Sequence, residues 1–382
     1  MALTAAAVVA AGTVSGLLAA TGGDENETAR PAPEVSGSAL HVPLPARPTP
    51  TASAPASPTP SPSPTASRTP ARTSAPPAPK PSPTRAKKAA PVARTVSADL
   101  YRHPQSQVLD WVRDNPGDPR RDVISSRIAD QPAAVWFAAY DPGAITGRVR
   151  AVTSGAAAAG RVPVLVPYAI PDRDCGGASQ GGAPDLAAYD GWIRNFAEGL
   201  GSGPVIVVLE PDSIALADCL SSGERSARYA SLARAGKALR AANPRAKVYF
   251  DAGHSGWHSA TKMAGALREA DAAGSSDGIF TNVSNFHATG DEAAYARRVL
   301  GALGGPSHLG AVIDTSRNGN GAPAPGAWCD PAGRALGRTP TTRTGDARID
   351  AYLWIKLPGE SDGCSGAAGE FSADYAYDLA TG

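Results

Sequence analysis

From residue 96 onward the chain repeats one pattern: a short apolar run, a polar loop, then an Ala- and Arg-rich stretch with helical spacing. Seven apolar runs predict strands, at residues 133–140, 162–170, 205–209, 247–250, 278–283, 309–313 and 351–356. Stretches such as 186–200 and 223–242 predict helices between them. Strands alternating with helices imply a parallel sheet with crossover helices. The runs are apolar at successive positions, so both faces of the sheet should be buried. The expected fold is α/β: a distorted, seven-stranded parallel (β/α) barrel, closed or nearly so, rather than an open doubly wound sheet.

The first quarter of the chain has a different pattern. Residues 2–23 are almost uncharged, apolar and rich in Ala, long enough to cross a bilayer once. No basic residue precedes this run, as a signal peptide should have, and Asp24, Glu25 and Glu27 follow it. It reads as a secretion signal, with a misplaced start, or as an uncleaved membrane anchor; both put the rest of the chain outside the membrane. Residues 24–95 read as a disordered linker, and 35–95 are mostly Pro, Ser, Thr and Ala. Such a segment cannot bury enough apolar surface to offset its ordering entropy. Runs such as Pro58-Thr59-Pro60-Ser61-Pro62 favour extended polyproline II, a spacer. The working domain is expected at 96–382.

Charge has to be divided along the same boundaries. The whole 382-residue chain carries +1. Residues 35–98 hold eight basic residues and no acid, and residues 1–34 hold four acids against Arg30, which leaves 99–382 at −4. A mildly acidic domain is not a nucleic-acid binder. The diffuse basic stretch reads as a solubilising linker.

Cys175, Cys219, Cys329 and Cys364 all lie in the domain. Four cysteines allow three pairings, of which the sequential one closes the shortest loops. The absence of any C-x-x-C spacing argues against a metal site. Neither a G-x-G-x-x-G fingerprint nor a phosphate loop follows any strand, so no cofactor is expected. Disulfides imply an oxidising compartment.

Polar residues gather at the ends of the predicted strands, where barrels carry their sites. Trp136 lies in the first run. Asp174, Asp212 and Asp251 follow the second, third and fourth. Asn282 and Asn285 end the fifth, Asp314 and Arg317 follow the sixth, and Lys356, Glu360 and Asp362 follow the seventh. Paired carboxylates suit general acid–base cleavage of a glycosidic bond. An acid must stay protonated to donate, and a free Asp has a pKa near 4. Burial and a neighbouring carboxylate would raise it. Asp212 is the candidate acid and Asp174 its natural neighbour, against the plainer reading of Asp212 as a helix N-cap. Trp257 and Trp328, set among Gly, Ser, His, Cys and Asp, should be exposed and could stack on sugar faces. Trp354, between Leu353 and Ile355, should be core.

Several blocks together resemble glycoside hydrolase family six, the inverting endoglucanases and cellobiohydrolases. They are Tyr168–Cys175, Val208-Leu209-Glu210-Pro211-Asp212, Asp251-Ala252-Gly253-His254-Ser255-Gly256-Trp257, Trp328-Cys329 and Lys356-Leu357-Pro358-Gly359-Glu360-Ser361-Asp362-Gly363. The resemblance covers roughly residues 97–380. It implies a distorted seven-stranded parallel barrel, with Asp212 as general acid and Asp174 raising its pKa and steering the water. It implies that Tyr168 crowds the sugar at the cleavage point and that Ser179 helps to hold the water. Asp362 falls at the position proposed as base. Trp136, Asp251, His254, Trp257, Asn285, Trp328, Lys356 and Glu360 would bind glucose units. The implied disulfides are Cys175–Cys219 and Cys329–Cys364. The implied partner is a β-1,4-glucan or a cello-oligosaccharide, with no protein partner indicated. Only 33 residues separate Cys329 from Asp362 and 20 follow it, too few for long enclosing loops. Internal cutting is therefore expected over release of cellobiose from chain ends. A non-catalytic glycan-binding protein would have shed acids that are all present here.

Overall fold

The computed structural model describes residues 99–382. The apolar segment 1–23 and the linker 24–95 expected above lie outside the described residues. Seven strands form one sheet in the order β1-β2-β3-β4-β5-β6-β7. They are β1 (Val135–Phe137), β2 (Val164–Pro167), β3 (Val205–Leu209), β4 (Ala246–Asp251), β5 (Gly278–Thr281), β6 (Gly310–Asp314) and β7 (Ile349–Leu353). Every neighbouring pair is parallel. The helices are α1 (Gln107–Asp114), α2 (Arg121–Ile124), α3 (Ile145–Ala158), α4 (Leu186–Glu198), α5 (Ser222–Ala242), α6 (Ala260–Glu269), α7 (Ala272–Ser275), α8 (Thr289–Leu303) and α9 (Ala373–Thr381). The seven expected strands are all present. β7 begins two residues earlier than its apolar run, and Asp251 and Asp314 are the last residues of their strands rather than the first beyond them.

Alternation along the strands separates two layers. In β3, Val205, Val207 and Leu209 pack against the helices, together with Trp192, Phe196 and Leu239. Ile206 and Val208 turn inward to meet Val166, Tyr249, Phe280, Val312 and Leu353. Both faces are thus buried, which is why the strand runs are apolar throughout. The sheet curls until its edges meet: the Ala134 amide donates to the Trp354 carbonyl at 2.9 Å, and Trp136 Nε1 to the Ile355 carbonyl at 2.7 Å. Trp354, 2% exposed, anchors a third cluster with Val112, Ile124 and Ala376 that closes this seam.

Helix starts follow local chemistry. Asp185 caps α4 through the Ala188 amide. Ser221 and Glu224 form a reciprocal capping box at α5. Each cap contributes about 1 kcal/mol. The Cys175–Cys219 and Cys329–Cys364 disulfides both form, with Cα–Cα distances of 6.1 and 5.9 Å. The first ties the loop after β2 to the loop after β3, and the second joins the Trp328 loop to the Asp362 loop.

Candidate active site

The C-terminal ends of the strands carry an unusual backbone. Asp172, Asp174 and Cys175 after β2, Glu210 and Asp212 after β3, and Asn282 and Ser284 after β5 all have positive φ. Non-glycine residues persist there only when their surroundings over-determine them, and such strain clusters at functional sites.

After β2, Tyr168 is 5% exposed, and its hydroxyl lies 2.9 Å from Ser179 Oγ. Asp174 Oδ2 accepts from both the Ser179 amide, at 2.8 Å, and Ser179 Oγ, at 2.9 Å. The loop is folded back tightly: a Cβ on Gly177 would come within 2.5 Å of Asp174 Oδ2, and one on Gly182 within 2.0 Å of the Ile170 carbonyl. Arg173, a residue the sequence did not mark, staples the loop. It donates to the carbonyls of Ala138, Tyr168 and Ser179, and its guanidinium lies over the Tyr168 ring. Trp136 meets that ring edge-on at 5.2 Å.

After β3, Asp212 is half-buried. It caps no helix, contrary to the plainer reading of the sequence: the turn at 211–216 does not open an α-helix. Its carboxyl is pushed well above the usual carboxylate range, first by burial, then by the charge of Asp251, then by that of Asp174. The neighbour expected from sequence is therefore the smaller of two.

Asp251, expected to touch sugar, is buried at 2% exposure. Its Oδ2 accepts from the Ile214 and Ala215 amides at 3.0 and 2.7 Å, and its Oδ1 from the Gly253 amide at 2.9 Å. Both oxygens are spent on backbone, so the carboxylate supports the turn that presents Asp212 rather than facing a ligand.

His254 stacks on His287, with ring centroids 4.3 Å apart, and tilts against the half-buried Trp257 at 5.4 Å. Gly256 makes room: a Cβ there would meet His287 Cε1 at 2.6 Å. Burial, then the charges of His287 and His258, lower the His254 imidazole to about 4, so it is neutral near pH 7. Asn285 is half-buried and donates to the Val283 carbonyl.

The β6 and β7 ends are built around buried charge. Asp314 is 0% exposed and gathers the amides of Ser316, Lys356, Ser284 and Ile355. Arg317, also fully buried, pairs with Asp362 Oδ2 at 2.8 Å and donates to Tyr375 Oη of α9 at 3.0 Å. Lys356 Nζ lies 3.4 Å from Asp362 Oδ1 and donates to the Ser361 carbonyl. Asp362 Oδ2 also accepts from the Asp330 amide. Asp330 in turn accepts from the amides of Asp362, Cys364 and Ser365 and the hydroxyls of Ser361 and Ser365. Burial works against its charge, but these bonds outweigh it and hold the carboxyl below its ordinary range. Glu360 is raised to about 7, chiefly by burial, and accepts from Gln107 of α1 at 3.0 Å. A cavity of about 310 Å³ opens between Glu360, Trp136, Gln107 and His103. Trp328 stands 58% exposed, the large apolar side chain that the fold leaves in solvent among the described residues.

The strand exits thus bring Tyr168, Asp174, Ser179 and Asp212 into one group and Lys356, Glu360 and Asp362 into another. Sequence missed Arg173, Gln107, His287 and Asp330; Gln107, His287 and Asp330 meet Glu360, His254 and Asp362 from distant parts of the chain, whereas Arg173 mostly binds carbonyls of its own loop. Arg173 and Asp330 do stand inside or beside the motif blocks, and that adjacency was the available signal.

Comparison with known proteins agrees with this architecture. The sequence pattern of glycosyl hydrolases family 6 matches residues 93–381. Endoglucanase 1 of a Streptomyces species is 55% identical over 75% of this chain and 79% of that protein. Endoglucanase A of Thermobispora bispora is 51% identical over 76% of this chain and 64% of that protein. The structure of the endoglucanase Cel6 from Mycobacterium tuberculosis, in complex with methyl-cellobiosyl-4-deoxy-4-thio-β-D-cellobioside, superposes with a TM-score of 0.69. It shares 43% identity and covers 75% of this chain and 97% of that one. A barrel of seven parallel strands with its acids at the strand exits, and a sequence match across nearly all of the described residues, make the chain a member of glycosyl hydrolase family 6.

Proposed function

We propose that this protein is an endo-β-1,4-glucanase that hydrolyses internal bonds of cellulose-like glucans with inversion of configuration. The observation that carries the reading is Asp212, half-buried between Asp251 and Asp174, with its carboxyl pushed well above the usual carboxylate range by burial and their charges. A carboxyl of this kind can donate its proton to the glycosidic oxygen as the bond breaks.

Asp174, Ser179 and Tyr168 form a hydrogen-bonded chain that can hold a water on the opposite face of the sugar. Water attacks the anomeric carbon, the leaving oxygen takes the Asp212 proton, and the proton of the water departs through the chain toward Asp174. Tyr168 cannot easily lose its own proton, since burial first of all pushes its phenol above its ordinary range. It serves as a packing wall and a hydrogen-bond partner. Asp362 has both oxygens engaged by Arg317, Lys356 and the Asp330 amide, which supports a role in fixing the sugar-binding Lys356 rather than in taking the proton. Trp136, Trp257 and Trp328 offer faces to glucose rings. His254, Asn285, Lys356 and Glu360 offer hydrogen bonds.

Internal cutting is supported by the endoglucanase relatives and by the short connection from Cys329 to Cys364, 35 residues apart and closed by a disulfide. The two disulfides support work in an oxidising compartment, with 96–382 as the catalytic domain and the segments before it as export or anchoring signal and spacer. The test is a paired time course of viscosity and reducing ends on carboxymethylcellulose, with Asp212→Ala alongside. Rapid thinning that the variant lacks is the expected outcome. Cellobiose release without thinning would replace the endo reading with a chain-end one.

A further inference from the structure

Glu210 stands two residues before Asp212 and is 0% exposed. A carboxylate in such a place costs free energy that an apolar side chain of similar size would avoid. Its partners explain its presence. Oε1 and Oε2 accept from the Ala169 amide at 3.0 and 2.9 Å, and Oε2 accepts from the Ile170 amide at 3.0 Å. The β2–β3 ladder itself pairs Val164 with Ile206 and Leu165 with Val207. Beyond it the Glu210 amide still reaches the Pro167 carbonyl at 3.1 Å, and then the chain turns away with positive φ at Glu210. The side chain continues the pairing where the backbone has stopped. It holds the two residues that follow Tyr168 and lead into the Asp174 loop.

Three groups face this carboxylate. Arg173 comes from the Asp174 loop, Tyr189 from α4 and Arg228 from α5. Arg228 donates to the carbonyls of Pro171 and Asp172 on the same loop. The buried Tyr189 hydroxyl is directed at this carboxylate.

We propose that Glu210 is a positioning residue for the hydrolysis: by gripping the Ala169 and Ile170 amides it sets how the Tyr168–Ser179–Asp174 group stands relative to Asp212. The inference rests on the roles given above to Asp212 and Asp174. A loop that loosens would misplace the attacking water and withdraw the Asp174 charge from Asp212. Misplacement by about 1 Å can cost on the order of 100-fold in rate. Withdrawal of the charge would let Asp212 deprotonate at lower pH.

The test compares the full chain with Glu210→Leu and Glu210→Gln on cellohexaose, reading kcat, KM and the pH profile of kcat. The Leu variant is expected to lose about 100-fold in kcat at nearly constant KM, with its alkaline limb moved to lower pH. The Gln variant keeps one carbonyl oxygen that can accept from both amides, although its NH2 replaces the Oε1 that faces the Ala169 amide, and should recover part of the loss. A folded Leu variant with wild-type kcat and limb overturns the proposal, as do equal losses in both variants with an unmoved limb. Should the Leu variant not fold, Glu210→Asp retracts the grip by one carbon and is read in the same way. Asp212→Asn run alongside separates the two readings. An active Asp212→Asn sinks the role of Asp212, whereas an inactive one beside a wild-type-like Glu210→Leu sinks only that of Glu210.

Discussion

Arg317 and Asp362 form an ion pair at 2.8 Å in which the guanidinium is wholly buried and the carboxylate nearly so. The pair joins the end of β6 to the loop after β7, and Tyr375 of α9 accepts from the same guanidinium. This is a costly arrangement to break, because Arg317 alone would be an uncompensated buried charge and Asp362 would keep only the more distant Lys356, at 3.4 Å. Arg317→Met is expected to destabilise the domain by about 3–5 kcal/mol, read from the urea midpoint. Unchanged stability would mean that water reaches Asp362 and replaces the guanidinium.

Asp251→Asn is expected to shift the alkaline limb of activity to lower pH. The sign follows from the charges. Asp212 must be protonated to act, and its activity is lost as pH rises through its own pKa. Burial and the negative charge of Asp251 hold that pKa up, so an uncharged residue lets it fall. The Asn amide group would also meet the Ile214, Ala215 or Gly253 amides donor to donor, adding a loss in kcat. An unmoved limb would place the main neighbour of Asp212 elsewhere.

Asp212→Asn should separate substrates by their leaving groups. A general acid contributes roughly 10²–10⁴-fold, and only where the leaving oxygen needs a proton. Hydrolysis of cellohexaose should fall by that order, while a cellobiosyl fluoride should be turned over at close to the wild-type rate. Equal losses on both substrates would point to a structural defect.

Removing the Cys175–Cys219 bridge should lower stability and activity together. It closes a loop of 44 residues, for which chain entropy alone gives about 4 kcal/mol. It also tethers the residue beside Asp174 to the segment that follows Asp212. Cys175→Ala with Cys219→Ala is expected to lower the urea midpoint and kcat, with KM little changed. A stability loss with wild-type kcat would show that Glu210 and Arg173 hold the loop unaided.

Much of this protein could be read from its residues alone. The strands were visible because both sheet faces are buried: Val205–Leu209 is apolar at every position, and only a doubly covered strand permits that. Asp212 and Asp174 were visible because each lies within four residues of the end of such a run. Trp354 and Trp328 were sorted correctly into core and surface by their immediate neighbours, but Trp257, expected to be exposed like Trp328, is half-buried against the core. These are local properties, carried by residues close in the chain. The division of labour among the acids is not local. Asp251 stands in a motif block like the others, yet folding turns its Oδ2 onto two amides of the loop after β3 and leaves its Oδ1 on the Gly253 amide, and its place beside Asp212 exists only across the β3–β4 pair. Asp362 reads as a free carboxylate until Arg317, 45 residues away, arrives beside it. Gln107 reaches Glu360 across 253 residues. Periodicity records which face of an element is buried. Which charge comes to rest beside which depends on how the sheet curls and where the loops close, and that information is spread over the whole chain.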